Sequence, residues 1–215
     1  MKPGSSRSTL VVLASFLLAG AVVGMIRLRA PSSASLPPAP AEMAGTVTGP
    51  AWGYDPEGQQ VDPLASMDGP AVVLLFMGIE CPISNGYAPG IRRLHEEYAA
   101  EGVQFWVVYP DAGTSMEAIV KHRAEFQLPP QVLHDPQHSL VARSRVSVTP
   151  EAAVFLPGGR LIYHGRIDNR HAGFGSSRPE ATEHDLRDVL QRIVKGEAIA
   201  PASTRAVGCY IPRVS

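Results

Sequence analysis

Residues 71–85 read AVVLLFMGIECPISN, and the fold turns on how that stretch divides. Residues 71–78 are apolar without a break and follow Gly69-Pro70. A run of that length with no polar alternation is the pattern of a strand buried on both faces. The chain then turns at Glu80-Cys81-Pro82. From Ser84 to Ala100 apolar residues recur at helical spacing, with Ala88, Ile91, Leu94 or His95, and Tyr98 on one side. Pro89 is expected to bend this helix and Gly102 to end it. The sequence thus places a cysteine where a buried strand hands over to a helix.

The segments that follow extend the pattern. VQFWVVYP (103–110) is a second apolar strand. Residues 114–125 fit a helix with Met116, Ile119 and Val120 inward. A short strand is expected at 131–134 and a helical turn at 136–142. Residues 152–156 and 161–164 read as two strands, with Pro157-Gly158-Gly159 as the turn between them. Thr182, with Asp185 three residues on, predicts the start of a last helix. Leu186, Val189, Leu190, Ile193 and Val194 supply its apolar stripe, and Gly196 stops it. Residues 46–64, around YDPEGQQV, add a short hairpin. Strand–helix–strand needs parallel crossovers, whereas the later pair is a hairpin. One mixed β-sheet with helices on both faces satisfies both.

The 215-residue chain is expected to divide into four parts. Residues 1–29 form an N-terminal membrane anchor or signal segment. Their core, TLVVLASFLLAGAVVGMI (9–26), has the length and apolarity of a short bilayer-spanning helix. Arg27 and Arg29 follow directly and favour an uncleaved anchor; a cleaved signal peptide is the other reading. Residues 30–50 are a Pro/Ala/Ser-rich linker, which reads as a semi-extended tether. Residues 51–196 are the folded domain, and 197–215 a C-terminal tail carrying Cys209. Either reading of the N-terminus exports the domain, which predicts a membrane-anchored protein with an extracytoplasmic, periplasmic domain, or a secreted one after cleavage. The whole chain carries a formal charge of −1, with no stretch rich in Lys and Arg interleaved with aromatics. Nucleic acid is therefore not an expected partner. The two cysteines allow a single intramolecular disulfide.

A buried strand ending in the Cys81-Pro82 turn that opens a helix, with Thr149-Pro150 ahead of a strand pair and a last helix, resembles the thioredoxin-like superfamily in its redoxin or peroxiredoxin-like branch. The motifs ECPISN (80–85), VYPD (108–111), RIDN (166–169) and GCY (208–210) also resemble the often membrane-tethered bacterial redoxins. The resemblance implies a thioredoxin-like α/β fold. It implies that Cys81 is the nucleophilic cysteine and Pro82 the proline within the active-site turn. Ser84 stands where the second cysteine of a CxxC pair would be. Pro150 matches the cis-proline facing the cysteine, and Thr149 the residue before it, whose backbone contacts substrate. The sequence departs from the family in several places. Glu80 replaces the usual tryptophan. The threonine three residues before a peroxidatic cysteine is absent, since 77–80 read MGIE. Asn85 stands where a copper-chaperone CxxxC would place its second cysteine.

A cysteine opening a helix meets unpaired N–H groups and the positive end of the dipole, and both favour thiolate. A carboxylate at Glu80 opposes this. A buried, inert cysteine is the alternative. The Ser84 hydroxyl either donates to the Cys81 sulfur or satisfies local N–H groups. Residues 197–208, fully extended, span at most about 40 Å. That exceeds the roughly 30 Å diameter of a small domain, so Cys209 is a candidate resolving thiol or the partner in a structural staple. The loop HGRIDNRHAGFGSSRPEATEH (164–184) is expected to return to the active-site edge near Cys81, where Arg166, Arg170 or His171 would stabilise a thiolate or receive an anionic substrate; a solvated surface loop with no direct role is the other reading. Asp168 and Asn169 would hold the loop through side-chain-to-backbone bonds.

The expected function is thiol–disulfide exchange or thiol-based reduction. The partners are a protein or small-molecule disulfide or a peroxide, an external thiol reductant, and the membrane through the N-terminal helix. No cofactor is expected, since C-x-x-C-H and phosphate-loop patterns are absent. The alternative is a non-catalytic thioredoxin-like binding protein, which uses Cys81 to hold a partner or, with His95, His164 or His171, a soft metal such as copper, or does no redox work at all.

Overall fold

The computed structural model describes residue 49, residues 51–65 and residues 67–214. The anchor or signal segment and nearly all of the linker lie outside the described residues. Among the described residues, no helix is long and apolar enough to cross a membrane. In chain order the elements are β1 (Gly53–Tyr54), β2 (Gln60–Val61), β3 (Val72–Phe76), α1 (Pro82–Ala99), β4 (Gln104–Tyr109), α2 (Met116–Glu125), β5 (Val132–His134), α3 (Ser139–Ser144), β6 (Val148–Thr149), β7 (Glu151–Leu156), β8 (Arg160–Gly165), β9 (His171–Gly173), β10 (Ser176–Ser177), α4 (Asp185–Val194), β11 (Ala202–Ser203) and β12 (Cys209–Tyr210).

The apolar run beginning at Ala71 becomes β3, a central strand with all five residues buried. It pairs in parallel with β4 and antiparallel with β7. The main sheet runs β11-β8-β7-β3-β4-β5-β1-β2. Alternation along β3 splits the core in two, as the period of a strand requires. Val73 and Leu75 join Tyr87 and Ile91 of α1, Ile119 of α2 and Leu190 of α4. Val72, Leu74 and Phe76 join Leu140 of α3 on the opposite face. Truncating a fully buried leucine such as Leu74 to alanine removes about 2–5 kcal/mol of stability. The arrangement is a thioredoxin-like fold, a mixed sheet with helices on both faces.

Several local details differ from the sequence expectation. The first helix starts at Pro82, two residues early, because Pro at the first helical position has a preset φ and lacks only an N–H that would go unpaired. On α2 the inward residue is His122, not Val120, which is 38 % exposed. Thr182 does not cap α4, whose flanking residue is His184 with no side-chain cap bond. Thr182 instead accepts from the Asn169 side-chain amide at 2.8 Å. The helical turn expected at 136–142 lies at Ser139–Ser144, held by Asp135, which accepts the backbone N–H groups of Ser139 and Val141.

Residues 197–215 carry strands of their own. β11 adds in parallel to β8 at one end of the main sheet, pairing with Tyr163 and His164. Thr204 then anchors the chain, exchanging a 2.6 Å hydroxyl bond with Tyr163 and accepting the Arg166 N–H at 3.1 Å. Beyond it, β12 lies antiparallel on β6, with Cys209 opposite Thr149 and Tyr210 opposite Val148.

Candidate active site

The carboxyl end of β3 delivers the chain into a tight turn. A Cβ on Gly78 would meet the Thr149 hydroxyl at 2.8 Å and the Cys81 Cβ at 3.2 Å. Only glycine lets the turn approach that closely. Cys81 is the residue preceding α1, in extended conformation, and Pro82 opens the helix on its solvent side. The Thr149–Pro150 peptide bond is cis. Its Thr149 carbonyl accepts from the Cys81 thiol at 3.1 Å.

Cys81 stands at the start of the helix but is buried against solvent. The residue is 3 % exposed. Its cover is the tail: Cys209 Sγ lies 2.8 Å from Cys81 Sγ, and both cysteines are free thiols. A disulfide needs about 2.05 Å between sulfurs, so a small closing movement would join them. A cavity of about 160 Å³ adjoins the pair, lined by Tyr109, Asp111, Thr149, Tyr210, Ile211 and Pro212 among others.

Burial pushes the Cys81 pKa up, but hydrogen bonding outweighs it. The Cys209 thiol, the backbone N–H and hydroxyl of Ser84, and the Cys209 backbone together hold Cys81 below the ordinary thiol value. Ser84 is itself fully buried and accepts the Gly78 N–H at 3.3 Å. It therefore ties the turn to the sulfur from the position where a CxxC site has its second cysteine. Cys209 moves the other way, up to about 11, first through burial, then through its bond to Cys81 and the Cys81 charge. Glu80, expected to oppose the thiolate, is exposed and is not among the groups that act on Cys81. Burial takes the opposing role.

A polar chain missed in the sequence braces the turn from below. The Asn85 amide donates to the Ile79 carbonyl at 3.0 Å. Its oxygen faces His122 Nε2 at 2.9 Å, and His122 Nδ1 faces the Tyr109 hydroxyl at 2.9 Å. The Asn85 oxygen can only accept, so Nε2 carries the hydrogen and Nδ1 accepts from Tyr109. Burial holds the His122 pKa below its ordinary value, which keeps this neutral form. The signal in the sequence was the three-residue spacing from Ile119, a core position on α2.

The 164–184 loop does not reach the Cys81 cavity. It packs on α1, where the Tyr87 hydroxyl donates to Asp168 Oδ1 at 2.6 Å. Arg170 lies 4.5 Å over the Tyr87 ring and donates to the Gly86 carbonyl. His171 packs on the same ring at 5.2 Å between centroids. Arg166 forms ion pairs with Asp185 and Glu183 at the start of α4. Asn169 accepts the N–H groups of Thr182 and Glu183 and closes the loop's base. Arg166 and His171 line a second cleft, beside Gly208 and Tyr210 of the tail.

The metal-holding arrangement is not assembled. No histidine lines the Cys81 cavity. His95 stacks edge-on against Phe105, and His164 faces Glu151. Among the described residues, no group of three or more His, Cys, Asp or Glu side chains could hold a metal ion.

The sequence matches the AhpC/TSA family over residues 41–164. No curated protein matches it. Among solved structures, it is similar to a hypothetical protein from Sinorhizobium meliloti, with 21% identity and a TM-score of 0.64, covering 74% of this chain and 88% of that one. It is also similar to an uncharacterized conserved protein from Geobacillus kaustophilus, with 20% identity and a TM-score of 0.65, covering 77% and 89% of the two chains. Both likenesses concern the fold.

Proposed function

The chain belongs to the AhpC/TSA family, and from that premise we propose that it is a thiol–disulfide oxidoreductase with Cys81 as nucleophile and Cys209 as resolving thiol. The observation that carries the reading is the pair itself. A thiol held below its ordinary pKa at the start of α1 lies 2.8 Å from a thiol raised to about 11.

The difference in pKa, beside the 2.8 Å separation, supports this order of events. Cys81 supplies the thiolate and attacks one sulfur of a substrate disulfide. The distal substrate sulfur leaves as thiolate, and a mixed disulfide forms on Cys81. Capping Cys81 removes its charge and its hold on the Cys209 proton, two of the three causes that raise the Cys209 pKa. Cys209 then ionises more readily, attacks Cys81 Sγ and expels the substrate sulfur. The products are a substrate dithiol and a Cys81–Cys209 disulfide, which an external thiol reductant restores.

A disulfide suits the site better than a peroxide. Thiolate attack on an O–O bond releases hydroxide or alkoxide, which a nearby cation would stabilise. Among the described residues, the cavity lining includes Glu80 and Asp111 and no Arg, Lys or His. The apolar run 9–26 supports a membrane-anchored domain outside the cytoplasm, where such a disulfide would persist.

The test is a single turnover. Reduced full-length protein mixed with one equivalent of a small aromatic disulfide should yield two aromatic thiols and a Cys81–Cys209 disulfide by peptide mapping. Release of no thiol, or a disulfide between two copies through Cys209, would refute the assignment.

A further inference from the structure

With the tail seated, the sulfur of Cys81 meets no disulfide partner except Cys209. The tail must lift before any larger substrate reaches it, and the way it is seated describes what replaces it. Resting on the exchange reading above, we propose that residues 207–211 occupy the protein's own substrate site. The substrate is then an extended polypeptide strand with a glycine before its disulfide-bonded cysteine.

Four observations converge. The tail is read by backbone pairing on β6, and the Ile211 N–H continues it to the Ser147 carbonyl at 3.1 Å. Such pairing accepts any strand of the right shape. The register places a cysteine sulfur within reach of Cys81. Gly208 lies flat on the cis peptide: a Cβ there would meet the Thr149 carbonyl oxygen at 2.2 Å and the Pro150 nitrogen at 3.1 Å. Finally, Tyr210 is 80 % exposed, and clefts adjoin the tail, one lined by residues 209–212 and the other by residues 204–208 and Tyr210. Thr204 fixes the root of the tail, so Cys209 can swing out and back without disturbing β11.

Substrate strand and tail therefore compete for Val148 and Thr149. The returning tail delivers Cys209 to the mixed disulfide and takes back the backbone partners of the substrate strand. Resolution and release become one event. The bond made is Cys81–Cys209; the bond broken is Cys81 to substrate, whose sulfur leaves with the electron pair and is protonated by solvent.

The test uses full-length protein, wild type and Gly208→Val, and two probe disulfides. One is the nonapeptide TRAVGCYIP disulfide-linked to 5-thio-2-nitrobenzoate; the other is the symmetrical aromatic disulfide of the same chromophore. In Gly208→Val the displaced tail should raise attack on the peptide probe, relative to the small disulfide, by about tenfold. The same peptide with valine in place of its glycine should lose that advantage. Cys209→Ser, which retains the native glycine and guards against a folding defect in the first variant, should accumulate the peptide on Cys81 as a stable adduct by mass. Equal preference for peptide and small disulfide in every variant would overturn the proposal and leave thiol exchange standing. Failure of Cys81 to react with either probe would remove the exchange reading itself, and the proposal with it.

Discussion

The turn at 78–85 and the tail at 202–211 hold the two sulfurs by opposite means. The turn is covalently short and internally braced. Gly78 bonds Ser84, Asn85 bonds Ile79, and His122 and Tyr109 support Asn85 from α2 and β4. The tail is held by two-residue strands, by Thr204 at its root, and near Cys209 by the Thr149 hydroxyl and the Ser147 carbonyl. Bracing fits a nucleophile, whose donors must stay aimed at one atom while it ionises. Seating through short strand pairing suits the proposed resolving thiol, which would have to leave and return. The two sulfurs are therefore held asymmetrically, Cys81 in a braced turn and Cys209 on a two-residue strand of the tail.

Substitution of each sulfur should break that asymmetry most completely. Cys81→Ser should abolish disulfide reduction to the reagent background, measured by chromophore release, because a serine hydroxyl supplies no alkoxide at neutral pH. Cys209→Ser should retain the first attack and lose steady-state turnover. Equal residual turnover in the two variants would mean that the sulfurs are interchangeable and that the asymmetry has no functional meaning.

The next effect concerns protonation. The Cys209 thiol is the leading group that offsets burial at Cys81. Cys209→Ala should therefore move the pH midpoint of Cys81 alkylation upward, while making the sulfur easier to reach at high pH. A midpoint that stays in place would assign the low pKa to Ser84 and the helix N-terminus instead.

A smaller effect separates the tail from the 164–184 loop, which is longer and far better bonded. Asn169 is 4 % exposed and closes that loop through Thr182 and Glu183. Asn169→Ala removes the three hydrogen bonds at the loop's base and should cost about 1–3 kcal/mol in denaturant unfolding. Cys81 alkylation should change little, because no loop residue lines the Cys81 cavity. A large loss of thiol reactivity would show that the loop supports the site from a distance.

What the sequence revealed follows the same division. The strand, the turn and the helix were legible because each has a local cause: an unbroken apolar run, a proline at the first helical position, and helical spacing through Tyr98. The candidate sulfurs were legible because there are two. The seat of the tail was not, since a two-residue strand has no periodicity and Gly208 is informative only against the Thr149 carbonyl. The loop was expected at the sulfur because topology sends it to that edge. Its position is decided by Tyr87, which bonds Asp168 and carries Arg170 and His171 on its ring. Those contacts join residues more than eighty positions apart and leave no trace in local pattern.

The smallest expected effect tests the bracing itself through pH. His122 and His171 both have pKa values held below the ordinary imidazole value of 6.5, His122 by burial, and His171 by burial and then by the Arg170 charge. The unfolded chain then binds more protons than the folded one, so stability should fall as pH drops below about 6.5, by at most about 1.4 kcal/mol per pH unit for each histidine. Protonated His122 would also present an N–H at Nδ1 to the Tyr109 hydroxyl, which now donates there, and reverse that bond. His122→Gln should remove its share of the slope in pH-dependent urea unfolding, and His171→Gln should remove only the remainder. If the His122 share vanishes while Cys81 alkylation is unchanged at neutral pH, the brace stabilises the turn without tuning the sulfur. If alkylation slows as well, the bracing reaches the nucleophile, and the rigidity of the turn is part of its chemistry.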